Sequence, residues 1–172
     1  MILKSFKVKS NEKYLNKLLS ARQVKVGGNA VKSIGVILNK DAFSNVLEFK
    51  SLTKKIKLSS KALKVAAFTL EDVQEQDANL ITFSPKDFGW KDGIKNPELE
   101  AFLNQEFDVL ISYYTNDSLD LKIATARSKA QFKIGILQTD TRLNDLIIKT
   151  NINEFDVFKN EVFKYLTILN KI

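Results

Sequence analysis

The chain contains no cysteine and no histidine. Without cysteine there is no disulfide, no thiolate nucleophile and no thiolate metal site. Without histidine the commonest general base and the commonest metal ligand are both missing. A Ser-His-Asp triad or a histidine-ligated zinc centre cannot be written on this sequence. Any chemistry must use carboxylates, Lys, Tyr, Ser or Thr, and carboxylates alone can hold Mg²⁺. Proline and glycine are scarce too, with 2 and 6 copies in 172 residues. Apolar runs such as "VILN" and "DVLIS" are strand-sized, far below the roughly 20 residues that span a bilayer. The opening "MILKSFKVKS" lacks the apolar stretch of a secretory signal, so a cytoplasmic protein is expected.

Acidic residues are nearly absent from the first third. Residues 1–65 hold 15 Lys and Arg against 3 Asp and Glu, a surplus of +12. Residues 66–172 hold 12 against 17, a balance of −5. One end of the molecule is therefore expected to carry a positive field, the footprint of a polyanion partner such as RNA, a ribosome or an anionic membrane. Lys4, Lys7, Lys9, Lys13, Lys17, Arg22 and Lys25 are the candidate contacts. Against this stands the preponderance of Lys, 24 to 3 Arg. It fits an AT-rich genome, and dedicated RNA binders favour Arg for its planar fork.

The composition, 44% hydrophobic and 27% charged, is that of a globular protein with one full core. "SNEKYLNKLLSARQ" places Tyr14, Leu15, Leu18 and Leu19 on one helical face. It reads as a basic N-terminal arm over residues 1–30, set off by "GGNA", before a single α/β domain over 31–172. Apolar runs then alternate with helical patterns. "SIGVILN", "LKVAAFTL", "NLITFS", "FDVLIS" and "FKIGIL" read as strands, and "NDLIIKT" as a sixth strand or the extension of a helix. "DAFSNVLEFKSLTKKI" reads as a helix turning Phe43, Val46, Leu47, Phe49 and Leu52 inward. Further helices are expected from Pro97, over "DSLDLKIATARSKA", and along the C-terminus with Phe155, Phe158, Val162, Tyr165, Leu166, Leu169 and Ile172 as its apolar stripe. Strands apolar on both sides, with helices between them, mean a mostly parallel sheet of 5–6 strands covered on both faces. The expected fold is a three-layer, Rossmann-like α/β sandwich with a basic helical arm.

In such sheets ligands sit beyond the carboxyl ends of the strands. A dinucleotide site needs a glycine-rich turn after the first strand. Here that turn is "NKDAFS", without glycine, and Asp41 would stand where a phosphate belongs. No Walker-type loop exists, and no cofactor is expected. The strand tips instead offer Asn39, Asp41, Asp72, Tyr113, Tyr114, Thr115, Asn116 and Asp117, a rim that could hold a metal or a small polar ligand. The competing reading is that these Asp, Asn and Ser residues are helix N-caps. Of Tyr113 and Tyr114, one can be buried and the other exposed, since neighbours on a strand face opposite sides. "FSPKDFGWKDGIKN" sets Phe88 and Trp90 among lysines, either as a stacking platform for single-stranded nucleic acid or as a plug on the sheet edge.

The stretches "KSNEKYLNKLLSARQVKV", "KSIGVILN", "DFGW", "FDVLISYY", "SKAQFKIGILQTDTRLNDLIIKT" and "FKYLTILNKI" resemble a small family of uncharacterised proteins from flavobacteria and other Bacteroidota, along most of the chain. The family has no established activity, so the resemblance carries no functional residues. "FDVLIS…LDLKIATARSKAQFKIGI" is also similar to the first half of heptosyltransferase-like glycosyltransferases, over about a quarter of the chain. That similarity implies the α/β fold alone. Two functions therefore compete: a non-catalytic protein contacting RNA, a ribosome or another protein through its basic N-terminus, and an Mg²⁺-dependent enzyme or small-molecule sensor built on the acidic rim. Membrane association through the Tyr14–Leu19 face ranks last, because that face is short.

Overall fold

The computed structural model describes residues 2–24, 28–71, 80–90, 93–116, 118–137 and 140–172, with the side chains of Ile2 and Lys4 excepted. The elements run α1 (Ile2–Ala21), β1 (Ile34–Asn39), α2 (Glu48–Lys55), β2 (Leu63–Phe68), β3 (Leu80–Phe83), α3 (Pro97–Asn104), β4 (Val109–Tyr113), α4 (Leu119–Arg127), β5 (Phe132–Ile136), β6 (Leu146–Ile148) and α5 (Phe155–Ile168). The six strands form one sheet in the order β3-β2-β1-β4-β5-β6. Every pairing is parallel. This is the doubly wound order, with its switch point between β1 and β4.

Both faces of the sheet are covered, which explains why the strands read as unbroken apolar runs. On one face Ile34, Val36 and Leu38 pack against Phe49 and Leu52 of α2 and Phe155, Phe158, Val162 and Leu166 of α5. Phe43, Phe49, Tyr113, Phe155 and Phe158 meet there in edge-on, tilted and stacked ring contacts. On the other face Ile37, Ala66, Phe68 and Leu110 lie under Leu99, Phe102 and Leu103 of α3 and Leu121, Ile123 and Ala124 of α4. Gly35 is required by this packing. A Cβ built there would meet Phe107 Cδ2 at 2.7 Å and Cε2 at 2.9 Å. Asp108 ties the starts of β1 and β4 together, its Oδ2 accepting from the Lys32 and Ser33 amides and the Ser33 hydroxyl, each at 2.9 Å.

Three local expectations are corrected. The helix expected from Asp41 begins seven residues later, at Glu48. The chain over 40–47 turns instead, and Leu47 is exposed rather than inward. Asp41 caps no helix. Its Oδ1 accepts from the Thr69 hydroxyl at 2.6 Å and its Oδ2 from the Leu70 amide at 3.0 Å, which binds the β1 tip to the β2 tip. The cap of α4 is Ser118, not Asn116; Asp117 lies outside the described residues. In α5, Leu169 and Ile172 are exposed because the helix ends at Ile168.

Candidate functional site

α1 is a helix with two unlike sides. Asn11, Leu15 and Leu19 follow one another at four-residue spacing and are buried. Leu15 and Leu19 join the cluster formed by α3 and α4. Lys9, Lys13 and Lys17 follow at the same spacing, displaced by two residues, and are exposed. A two-residue step turns about 200° around a helix of 3.6 residues per turn, so the lysine line stands opposite the buried line.

The helix lies parallel to α4. Near its start Lys7 is close enough to Asp120, in the first turn of α4, to act on its charge. Burial raises the Asp120 carboxyl above its ordinary value, and Lys7 opposes that shift. Near its end Leu18 and Arg22 share a cavity with Ala126 and Ser128. Side chains pin the helix along its length. Lys7 Nζ donates to the Phe88 carbonyl at 2.6 Å and Asn11 Nδ2 to the Gly89 carbonyl at 3.3 Å. Arg142 Nη2 donates to Asn16 Oδ1 at 3.1 Å. Arg22 Nη1 donates to the Arg142 carbonyl at 2.8 Å. Arg22 Nη2 also stands 2.6 Å from Asp145 Oδ1, as a charge contact rather than an aligned hydrogen bond.

These contacts divide the seven sequence-predicted cations. Lys9, Lys13 and Lys17 face solvent. Lys7 and Arg22 are turned to the protein body. Lys4 lies in α1, its side chain undescribed, and Lys25 lies outside the described residues. The cationic surplus of the first 65 residues is divided between the two faces of the sheet. α1 packs on the face covered by α3 and α4. Lys50, Lys54 and Lys57 belong to α2 and its end, on the opposite face.

Beside the exposed lysines runs a groove of about 560 Å³, lined by Ser10, Lys13, Tyr14, Asn16, Lys17 and Ser20. Lys9/Lys13 and Lys13/Lys17 are like-charge pairs at i,i+4, each unfavourable by a few tenths of a kcal/mol. Among the described residues no carboxylate forms an ion pair with any of the three. An anion with repeating charge would remove that repulsion and gain hydrogen bonds from the groove.

The strand rim is arranged differently. Asn39 is buried, and its Oδ1 accepts from the Asp41 amide at 3.1 Å. Both carboxylate oxygens of Asp41 are engaged as described above. Tyr113 and Tyr114 do face opposite sides, but both are fully buried because both faces are covered. Tyr113 donates to the Ile152 carbonyl at 2.7 Å. The Tyr114 hydroxyl lies 2.7 Å from Thr125 Oγ1 and 3.2 Å from the Leu121 carbonyl. Burial raises both phenol pKa values; Glu48 and Glu154 add to the shift at Tyr113, and the Thr125 hydrogen bond opposes it at Tyr114. Thr115 and Asn116 are exposed, and Asp72 and Asp117 lie outside the described residues. Among the described residues no three carboxylates converge as a metal site would require.

The aromatic loop splits in two. Phe88 is buried against Phe83, with ring centroids 6.0 Å apart, and plugs the core. Trp90 is half exposed at the tip of a turn closed by Gly89 N to Gly93 O at 2.7 Å. α1 holds this turn through Lys7 and Asn11.

Lys133 escaped the sequence reading. It lies in β5, 3% exposed, with Nζ donating to the Thr125 carbonyl at 2.6 Å and the Ala126 carbonyl at 3.3 Å. Its backbone amide donates to Asp145 Oδ2 at 2.7 Å. The available signal was the lysine at the second position of "FKIGIL", an otherwise apolar run in which an ammonium is costly. Among the described residues no helix is long and apolar enough to cross a membrane. No curated protein and no solved structure matches the chain. A family profile does match, over residues 7–169, from within α1 to the end of α5. The chain belongs to the family of unknown function DUF6913.

Proposed function

We propose that this is a non-catalytic, cytoplasmic binding protein of the Bacteroidota whose α1 presents its outer face to RNA, free or on the ribosome. The observation that carries this reading is the line Lys9, Lys13, Lys17. It is exposed, without a carboxylate partner among the described residues, and beside a groove containing Tyr14. Lysines four residues apart on a helix lie about 6 Å from one another, close to the spacing of phosphates along one strand. Tyrosine and lysine together supply the stacking and charge that single-stranded nucleic acid uses. Exposed Trp90, on the turn held by α1, offers a second stacking surface. The rest of α1 serves as its mount, through Leu15, Leu19, Asn11 and Arg22.

The test is capture from native lysate with the tagged protein, with and without nuclease. Ribosomes or RNA should be retained by the wild type and lost on nuclease treatment. The variant Lys9→Gln/Lys13→Gln/Lys17→Gln, altered only at exposed positions, should retain neither. Nuclease-resistant capture of a protein would replace RNA with a protein partner. Equal RNA capture by the variant would remove α1 from the account.

A further inference from the structure

We propose that Lys133 is the nucleophile of a carbonyl-capturing pocket, where its amine forms an imine with an aldehyde or 2-oxo acid bearing an anionic group. The pocket encloses about 350 Å³ and is bordered by Arg22, Gln23, Glu106, Lys129, Gln131 and Lys133 among others. That volume is at the small end of ligand sites. It lies near the end of α4 and the start of β5, away from the lysine line on the outer face of α1.

The hydrogen bonds of Lys133 carry the inference. An ammonium has three N–H donors, and a neutral amine has two and a lone pair. Two acceptors meet Nζ, the Thr125 and Ala126 carbonyls. The amine form satisfies both and keeps its lone pair, whereas the ammonium would hold a third N–H without a protein acceptor among the described residues. The surrounding charges act in the same sense. Burial pushes the Lys133 ammonium down to about 7, Arg22 adds to the fall, and Asp145 opposes it. Helix-end carbonyls do favour a cation, so Lys133 also closes the end of α4. Arg22 is already paired with Asp145, so the pocket's cation without an ion pair among the described residues is Lys129, and Glu106 is its anionic group. An anionic substituent on the ligand is thereby favoured.

The step balances without a co-reactant. The amine lone pair attacks the carbonyl carbon, giving a carbinolamine. Loss of the carbonyl oxygen with the two amine protons releases water and leaves the C=N bond; taking up one proton from solvent, the imine nitrogen keeps an N–H for the Thr125 carbonyl. Lysines with depressed pKa in desolvated sites are suited to this reaction.

The probe is pyridoxal 5′-phosphate, an aldehyde carrying a phosphate, applied to the full chain and trapped with borohydride before peptide mapping. At pH 7 about half of the Lys133 side chains are neutral, against well under one in a thousand for an ordinary lysine, so a preference of two to three orders of magnitude is expected. Labelling of Lys133 should rise with a midpoint near pH 7. Pyridoxal, without the phosphate, should label it about tenfold less, the factor of one charge-assisted contact. Lys133→Arg should abolish the preferred site. Labelling spread over exposed lysines with Lys133 spared, or a Lys133 profile that tracks theirs in the wild type, would overturn the proposal even if the variant fails to fold. Equal labelling by both aldehydes would overturn its anionic-ligand part.

Discussion

Replacing Lys133 by methionine should change how stability depends on pH. In the folded chain burial holds this group's pKa near 7, whereas an unfolded lysine titrates near 10.4. Below pH 7 the side chain is an ammonium in both states, and the cost of burying it is present in full. Between pH 7 and about 10 the unfolded chain binds one more proton than the folded one, so stability rises with pH. The slope is roughly 1.4 kcal/mol per pH unit for one group, or about 3 kcal/mol between pH 7 and pH 9.5. Above pH 10 the trend reverses, because burial keeps Tyr113 and Tyr114 protonated in the fold while unfolded tyrosines ionise. Lys133→Met should lose the rise. Its own cost, about 1–3 kcal/mol for the two carbonyls left without Nζ, is independent of pH. Urea unfolding of both proteins at pH 6, 7, 8, 9 and 9.5 reads the difference directly. Parallel curves from pH 7 to pH 9.5 would mean that Lys133 stays an ammonium, and the reasoning about its desolvation would be wrong.

Two further perturbations test the packing that positions α1 and the sheet. Gly35→Ala should destabilise by about 1–3 kcal/mol through overpacking, since its Cβ would lie 2.7 Å from Phe107; Phe107→Leu in the same chain should recover part of the loss in thermal melts, and no recovery would contradict that contact. Arg22→Met should cost about 3 kcal/mol because Asp145 is left buried without its cation, and should expose α1 to limited proteolysis. Adding Asp145→Asn should restore stability, whereas an additive loss would mean that the two charges do not interact.

The layer structure was legible in the sequence because it rests on local periodicity. The stretches "GVIL" within "SIGVILN" and "IGIL" within "FKIGIL" carry no polar residue, which only a strand covered on both faces tolerates. Pro97 likewise marks the start of α3, where the structure adds the Asn96 cap, its Oδ1 accepting from the Glu98 and Leu99 amides. What failed depends on partners far along the chain. Asp41 has the composition of a cap, but its acceptors serve Thr69 and Leu70, 28 and 29 residues away. Lys7 and Arg22 look identical to Lys9 and Lys13 as charges. They differ only because the Phe88 carbonyl and Asp145 stand opposite them. Tyr113 and Tyr114 alternate as expected, and the cover on both faces, itself expected from the sequence, buries the two of them. Lys133 was visible as an anomaly in an apolar run, while the α4 carbonyls that receive it were not.

The most direct measurement of the central claim is the salt dependence of RNA binding by the wild type and by Lys9→Gln/Lys13→Gln/Lys17→Gln. Each cation paired with a phosphate of a single strand contributes about 0.7 to the slope of log affinity against log salt. Three such contacts make the wild-type slope steeper by about 2, which corresponds to a further loss of roughly twentyfold between 50 and 200 mM salt. Fluorescence anisotropy with a labelled single-stranded RNA supplies both slopes. A difference near 2 is the result the α1 surface predicts; identical slopes would show that these lysines touch no phosphate.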